Sequence, residues 1–193
     1  MLNQTNKYPL SFNVDYKNSY NRLTTFFRLF MVIPAAALFI ILTSSASLII
    51  IPTILTLLFQ KKYPKWWFDF NVALTQFSTR IWCYAILLTD EYPSVDQDQS
   101  VHLSFKYPNT KKDLNRFLPL IKWFLAIPHY VVLLFLLLAG IILTIIAWFS
   151  IIFTKKYPRS IFDFQISLLT WGLRVQTYAF FLITDKYPPF SLK

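Results

Sequence analysis

Glycine is almost missing: two in 193 residues, Gly140 and Gly172. That excludes the glycine-rich loops that cradle phosphates. Cysteine occurs once, as Cys83, so no internal disulfide framework and no multi-cysteine metal site can form. Only His102 and His129 represent histidine, and no His-x-x-His spacing exists. No cofactor and no metal are expected. Charge is scarce as well: 15% of residues, where a soluble domain carries about 25%. Hydrophobic residues reach 55%, so part of the surface must face something apolar.

Acidic residues are the scarcer sign, 9 against 19 Lys plus Arg, which leaves a net charge of +10. Such an excess suits nucleic acid or an anionic membrane surface. Position favours the membrane, because most basic residues flank apolar runs. They suit the positive-inside rule and anionic lipid headgroups. Nucleic acid is not an expected partner. The N-terminal stretch MLNQTNKYPLSFNVDY has no apolar core, so the first apolar run is expected to act as the insertion signal.

What is present is a duplication. A shift of 94 residues carries Asn21-Arg22 onto Asn115-Arg116, Arg28 onto Lys122 and Ile33-Pro34 onto Ile127-Pro128. It also carries Lys61-Lys62-Tyr63-Pro64 onto Lys155-Lys156-Tyr157-Pro158, Arg80 onto Arg174 and Tyr84-Ala85 onto Tyr178-Ala179. After one inserted residue, Thr89-Asp90 meets Thr184-Asp185. Shared hydrophobicity would not reproduce polar and breaker positions. The chain therefore divides into repeats at 1–95 and 96–193.

Each repeat reads in three parts, giving a mainly α integral membrane protein. A short alternating segment comes first, at Leu10–Tyr16 and from Val101, and its period of two predicts a strand. A lone strand is unstable, so the two are expected to pair with each other. A long apolar stretch follows, 26–60 and 117–154, within which 29–60 and 123–154 carry no charge. Upright as one helix, 32 residues would reach about 48 Å, more than a hydrocarbon core of roughly 30 Å requires.

A hairpin is therefore expected, with a single long tilted helix as the alternative. Small residues at the midpoints, Thr43-Ser44-Ser45-Ala46-Ser47 and Ala139-Gly140, permit either a turn or close helix approach. Pro34 and Pro128 are expected to kink the first arm. A hairpin keeps both basic collars on one side. The third part is an amphipathic helix, 66–89 and 160–184, whose narrow stripe includes Asp163, Ser167, Thr170 and Arg174. Parity of the basic collars favours an interfacial helix, with a spanning one as the alternative. Either arrangement crosses the bilayer four times, which predicts a multi-pass protein of a bacterial inner membrane.

Asp69, Arg80, Asp163 and Arg174 are the sharpest candidate site residues, since ionisable groups in apolar helices are costly. Antiparallel packing of the two third helices would pair Asp69 with Arg174 and Arg80 with Asp163. Lys61, Lys62, Lys65, Lys155, Lys156 and Arg159 are candidate headgroup contacts. Six Tyr-Pro pairs suggest rigid elbows at headgroup level. Cys83 could be a thiolate beside Arg80, but its counterpart Thr177 favours a small packing residue. His129, without a second histidine, suits a structural role.

One string resembles a known family: Ile127-Pro128-His129, Ala147-Trp148-Phe149, Phe153-Thr154-Lys155-Lys156-Tyr157-Pro158-Arg159, Phe162-Asp163-Phe164 and Thr184-Asp185-Lys186-Tyr187-Pro188-Pro189-Phe190. It is similar to the bacterial membrane family catalogued as domain of unknown function 4389. The second repeat carries it best. The first has Ala35 in place of His129 and Ser94 in place of Pro189. The resemblance implies a bacterial membrane protein and supplies no activity. With no clustered acid–base residues, an enzyme is not expected. The expectation is a non-catalytic membrane scaffold or accessory subunit, touching a membrane-protein partner or a second copy. A permeation subunit acting as an oligomer is the alternative.

Overall fold

The computed structural model describes residues 8–46, 50–110 and 114–192. The first repeat supplies β1 (Leu10–Val14), α1 (Arg22–Phe26), α2 (Arg28–Met31), α3 (Ile33–Ala46), α4 (Ile50–Gln60) and α5 (Lys65–Ala85). The second supplies β2 (Val101–Phe105), a 3-10 turn at Leu118–Leu120, α6 (Lys122–Leu125), α7 (Ile127–Thr154) and α8 (Arg159–Ala179).

The strands pair as their alternation predicts. They run antiparallel with Phe12 opposite Leu103, turning Leu10, Val14, Val101 and Leu103 inward. Ser11, Asn13, His102 and Ser104 are left on the exposed face.

The apolar stretch of the second repeat is not a hairpin. It is α7, one helix of 28 residues that runs without a break past Ala139-Gly140. Gly140 permits close approach here, not a turn. A Cβ at this position would lie 2.9 Å from Leu168 Cδ2 and 3.2 Å from Gln165 Oε1. Gln165 uses that closeness to donate to the Gly140 carbonyl at 2.7 Å and to Thr144 Oγ1 at 2.9 Å. Pro128 does not kink an arm either: it stands in the first turn of α7, where its missing N–H is no loss. Pro34 likewise opens α3. In the first repeat the expected turn reaches Ser47, which lies outside the described residues.

Contacts along the helices fix the packing. Ile151 clusters with Phe162, Gly140 meets Gln165, and Ala126 packs with Tyr178 and Ala179. α8 therefore runs antiparallel along the full length of α7. The last turn of α5, at Cys83, joins Phe162 at the start of α8. The first turn, at Trp67 and Phe68, joins Leu182 and Ile183 beyond the end of α8. α5 and α8 are thus antiparallel neighbours about a pseudo-two-fold axis.

The layers follow. Leu10 and Leu103 of the sheet pack on Leu173 of α8, and Gln76 of α5 donates to the Leu103 carbonyl at 2.9 Å. On the opposite side Phe77 and Ile81 of α5 receive Ala35 of α3, and Trp171 and Val175 of α8 receive Ala126 and the start of α7. The order is a polar sheet, then α5 with α8, then α3 with α7.

The outermost layer is greasy on its free face. α7 is the one helix among the described residues long and apolar enough to cross a membrane, and only 11% of its most apolar window is buried. The core helix of a soluble protein would be mostly covered. Phe30 and Phe153 are 72% and 71% exposed, and Leu29, Ile41, Phe135 and Ile142 are exposed as well.

Candidate functional site

The polar residues that the duplication matches converge on one motif, built twice. In the first repeat Arg28 is 1% exposed. Its Nη1 donates to the Thr89 carbonyl at 3.0 Å, and its Nη2 is bonded to the Asp90 carboxylate. The guanidinium lies 4.0 Å from the centre of the Tyr84 ring. Asp90 also accepts from the Asn21 backbone N–H at 3.0 Å, and the Asn21 side chain caps α1 through Leu23 N–H at 2.9 Å.

The second repeat does the same with a lysine. Lys122 is wholly buried; its Nζ lies 2.7 Å from Asp185 and donates to the Thr184 carbonyl at 2.7 Å. Tyr178 lies under it at 5.3 Å, and the Asn115 backbone N–H is bonded to Asp185. Burial pulls the Lys122 ammonium below its ordinary pKa, and Asp185 opposes that shift.

Each motif fastens the entry to the long apolar stretch onto the exit of the third helix. We call it the clasp. All its charges are paired, which suits it to holding the chain and not to acid–base chemistry. Chain geometry at the exit is unusual in both repeats: Leu87 and Leu182, two residues before Thr89 and Thr184, are buried with φ of 69° and 59°. A bulky residue tolerates that conformation only when its surroundings fix it.

Tyrosine hydroxyls lock the repeats together reciprocally. Tyr63 donates to the Phe181 carbonyl at 2.9 Å, and Tyr157 donates to the Ile86 carbonyl at 3.3 Å. Tyr16 donates to the Tyr157 carbonyl at 2.7 Å, while Tyr107 is bonded to that of Tyr63. Tyr63 and Tyr157 are buried, so these Tyr-Pro pairs are inter-repeat latches, not headgroup anchors.

The expected charge pairs between repeats are replaced by local ones. Asp69 is held by Lys65 at 3.0 Å and Asp163 by Arg159 at 3.1 Å, each one helical turn away and exposed. Neighbours four residues apart reach each other without constraining the fold. Arg80 donates to the Ser94 carbonyl at 2.6 Å, and the Arg174 carbonyl accepts from Tyr8 at 2.8 Å. Of the candidate headgroup contacts, Lys62, Lys65, Lys155, Lys156 and Arg159 are exposed, and Lys61 is half-buried.

Cys83 is fully buried and desolvation raises its thiol, so it is a packing residue and not a thiolate. His129 is buried too; its Nδ1 accepts from Trp171 Nε1–H at 3.0 Å, and its ring stacks on Phe190 at 3.9 Å. Both take the structural role the sequence favoured.

Glu91, beside the first clasp, gives a pH-dependent increment. Burial alone would raise its carboxyl, but bonds from Ser100 and Lys17 outweigh that and lower it from 4.5. The folded form then releases this proton more readily than the unfolded chain. The increment is present above about pH 4.5 and is lost as pH falls through the lower, folded value. Glu91→Gln should flatten the acid side of the melting-temperature profile and leave its neutral side parallel to wild type. Melts across pH 3–6, about the carboxylate range, measure it.

A family model described as Domain of unknown function (DUF4389) matches residues 22–95 and 119–191. The chain belongs to the DUF4389 family. No curated protein and no solved structure matches it. Each DUF4389 segment contains one whole cation–carboxylate pair, Arg28 with Asp90 and Lys122 with Asp185, while both strands lie outside. The cation–carboxylate pair is thus part of the segment that the family model matches, and one strand precedes that segment in each repeat. Among the described residues no cluster of three His, Cys, Asp or Glu could hold a metal ion.

Proposed function

We propose that this DUF4389 protein is a non-catalytic membrane scaffold whose helical layers lie within one leaflet of a bacterial inner membrane. The observation that carries this reading is where the two-fold axis puts the basic collars. Lys61, Lys62 and Lys65 stand at one end of the α5/α8 layer, and Lys155, Lys156 and Arg159 at the other. The polar sheet lies on one side of that layer and the apolar α3/α7 layer on the other. A protein lying flat puts both collars on the same side of the bilayer, as the positive-inside rule prefers, with the sheet in water and α7 in hydrocarbon.

Four upright crossings fit less well. The chain leaves α5 beside the C-terminal end of α7, where Tyr20 and Tyr157 meet Leu88 and Ile86. It reaches the N-terminal end of α7 by way of Asp96, Gln97, Asp98, Gln99 and β2. An upright α7 would draw that polar stretch and an open two-stranded sheet through hydrocarbon, where unpaired backbone groups are costly. At about 42 Å, α7 is also longer than a core of roughly 30 Å needs.

The exposed lysines would bind anionic lipid headgroups, and the embedded layer would wedge one leaflet or receive a membrane-protein partner. The stripe gives permeation little support: Asp69 and Asp163 are exposed, and Arg80 borders a polar hollow on the sheet side. Single cysteines at Lys65→Cys and Lys156→Cys, in a Cys83→Thr background, test the orientation. Both should react with a membrane-impermeant maleimide from the same side of the bilayer. Reaction from opposite sides would replace the flat reading with an upright, inverted one.

A further inference from the structure

The two basic collars are not alike. The one at the end of α7 gains a cation from the other repeat. Arg22, in the first turn of α1, donates through Nη2 to the Phe153 carbonyl at 2.7 Å. Two further bonds seat the chain there. The Tyr20 backbone N–H donates to the Lys155 carbonyl at 2.9 Å, and Trp148 Nε1–H donates to that of Thr25 at 3.1 Å. Arg22 therefore stands against the segment that carries Lys155 and Lys156. By the shift of 94 its counterpart is Arg116, which makes no such bond among the described residues.

Positive charge accumulates at this end. Arg22, Lys155 and Lys156 are exposed, and among the described residues none of them forms an ion pair. The carboxylates of the adjoining segments are taken: Glu91 by Lys17, Asp90 by Arg28 and Asp163 by Arg159. Complementing the helix end does not account for three cations. The C-terminal dipole of α7 is worth about half a negative charge, which leaves roughly two and a half positive charges over.

The surplus charge sits beside apolar side chains. Leu23 follows Arg22 and Phe153 accepts its hydrogen bond, and both are exposed. Phosphate is the anion that suits these cations. A guanidinium with one N–H committed keeps others in a planar fork for phosphate oxygens, and lysines add point charges. A free phosphate would leave Leu23 and Phe153 in water, whereas a phospholipid covers them with acyl chain. A zwitterionic headgroup would bring an ammonium of its own to three like charges.

We propose that Arg22, Lys155 and Lys156 form a site for one anionic phospholipid, whose phosphate joins the two repeats at the end of α7. The inference deepens the membrane reading and rests on it. That reading spreads headgroup attraction over every exposed lysine. Here one phosphate is held by an arginine from one repeat and two lysines from the other. Such a ligand stabilises the folded chain by mass action, because the unfolded chain does not bring the three cations together.

Thermal melts in dodecylmaltoside micelles test it, with dioctanoyl phosphatidylglycerol, dioctanoyl phosphatidylcholine and inorganic phosphate as probes. Phosphatidylglycerol at about a hundred times its Kd should raise the melting temperature by roughly 5–10 °C. The other two probes should leave it unchanged. Arg22→Gln, which can still donate to the Phe153 carbonyl, should raise the Kd for phosphatidylglycerol about tenfold. Lys155→Gln with Lys156→Gln should weaken binding by at least about as much. Only the backbone groups of these two lysines are bonded, so the lipid-free melting temperature of that variant should match wild type. Arg116→Gln removes the same charge at the counterpart position and should leave the Kd unchanged. An equal rise with phosphatidylcholine or inorganic phosphate overturns the inference, as does no rise at all. So does an Arg22→Gln variant that binds like wild type, or an equal loss in Arg22→Gln and Arg116→Gln, which would mean diffuse attraction. Flotation of the wild type with phosphatidylglycerol vesicles is measured alongside. Flotation without a selective site leaves the membrane reading in place, and failure to float overturns both.

Discussion

Asp185→Ala is expected to destabilise the protein by about 3–5 kcal/mol, the cost of leaving a buried charge without its partner. Lys122 has no exposure, and its ammonium is satisfied by Asp185 and the Thr184 carbonyl. Without the carboxylate it keeps one neutral acceptor and the face of Tyr178. For a chain of this size the loss corresponds to a fall of roughly 10 °C in melting temperature. Asp90→Ala should cost less. Arg28 would retain the Thr89 carbonyl and the closer Tyr84 ring, and a guanidinium is more weakly hydrated than an ammonium. Lys122→Met combined with Asp185→Leu should recover most of the stability, because the penalty comes from the orphaned charge and not from losing attraction. Thermal unfolding in mild detergent measures all three variants. A melt of Asp185→Ala that matches wild type would mean that the pair is solvated and that the clasp does not fasten the second repeat.

The members of this clasp all stand among the matched landmarks of the duplication. Asn21, Arg28, Tyr84 and Thr89-Asp90, with Asn115, Lys122, Tyr178 and Thr184-Asp185, are polar or aromatic and keep their spacing. Residue spacing does not reveal that the two ends of each set meet. Their separation, some 62 residues between Arg28 and Asp90, is bridged by helices that turn back on each other, and no local pattern encodes that distance. The stripe draws attention instead, because intramembrane charge is a strong signal by itself. Yet Asp69 and Asp163 have basic neighbours one turn away, Lys65 and Arg159, and a local partner needs no tertiary geometry.

The strands are legible in the sequence because a period of two leaves few alternatives, and each has only the other to pair with. The fate of the long apolar stretch is not, because length and collar charge alone cannot separate two arms that fold back from one continuous helix. Small residues at the midpoint serve either reading, and the turn they permit becomes at Ala139-Gly140 a contact between helices. Tyr-Pro follows a similar course. Its tyrosines suit a headgroup belt, but Tyr63 and Tyr157 bury their rings and spend their hydroxyls on carbonyls of the opposite repeat. A latch of this kind works only once two copies exist, so the duplication itself explains why the motif is inside.

The two glycines should respond in opposite directions, and the difference measures how tightly the second repeat is closed. Gly140→Leu is expected to cost about 1–3 kcal/mol, the range for overpacking a filled contact. Its Cβ starts 2.9 Å from Leu168 Cδ2 and 3.2 Å from Gln165 Oε1. Gln165 cannot swing aside without giving up bonds of 2.7 and 2.9 Å to the Gly140 carbonyl and Thr144. The gain in helix propensity on losing glycine, up to about 1 kcal/mol, offsets only part of this. Gly172→Ala meets open space, so that same gain should appear undiminished as a small rise in melting temperature. If both substitutions raised the melting temperature, α7 and α8 would be looser than the Gln165 bonds imply.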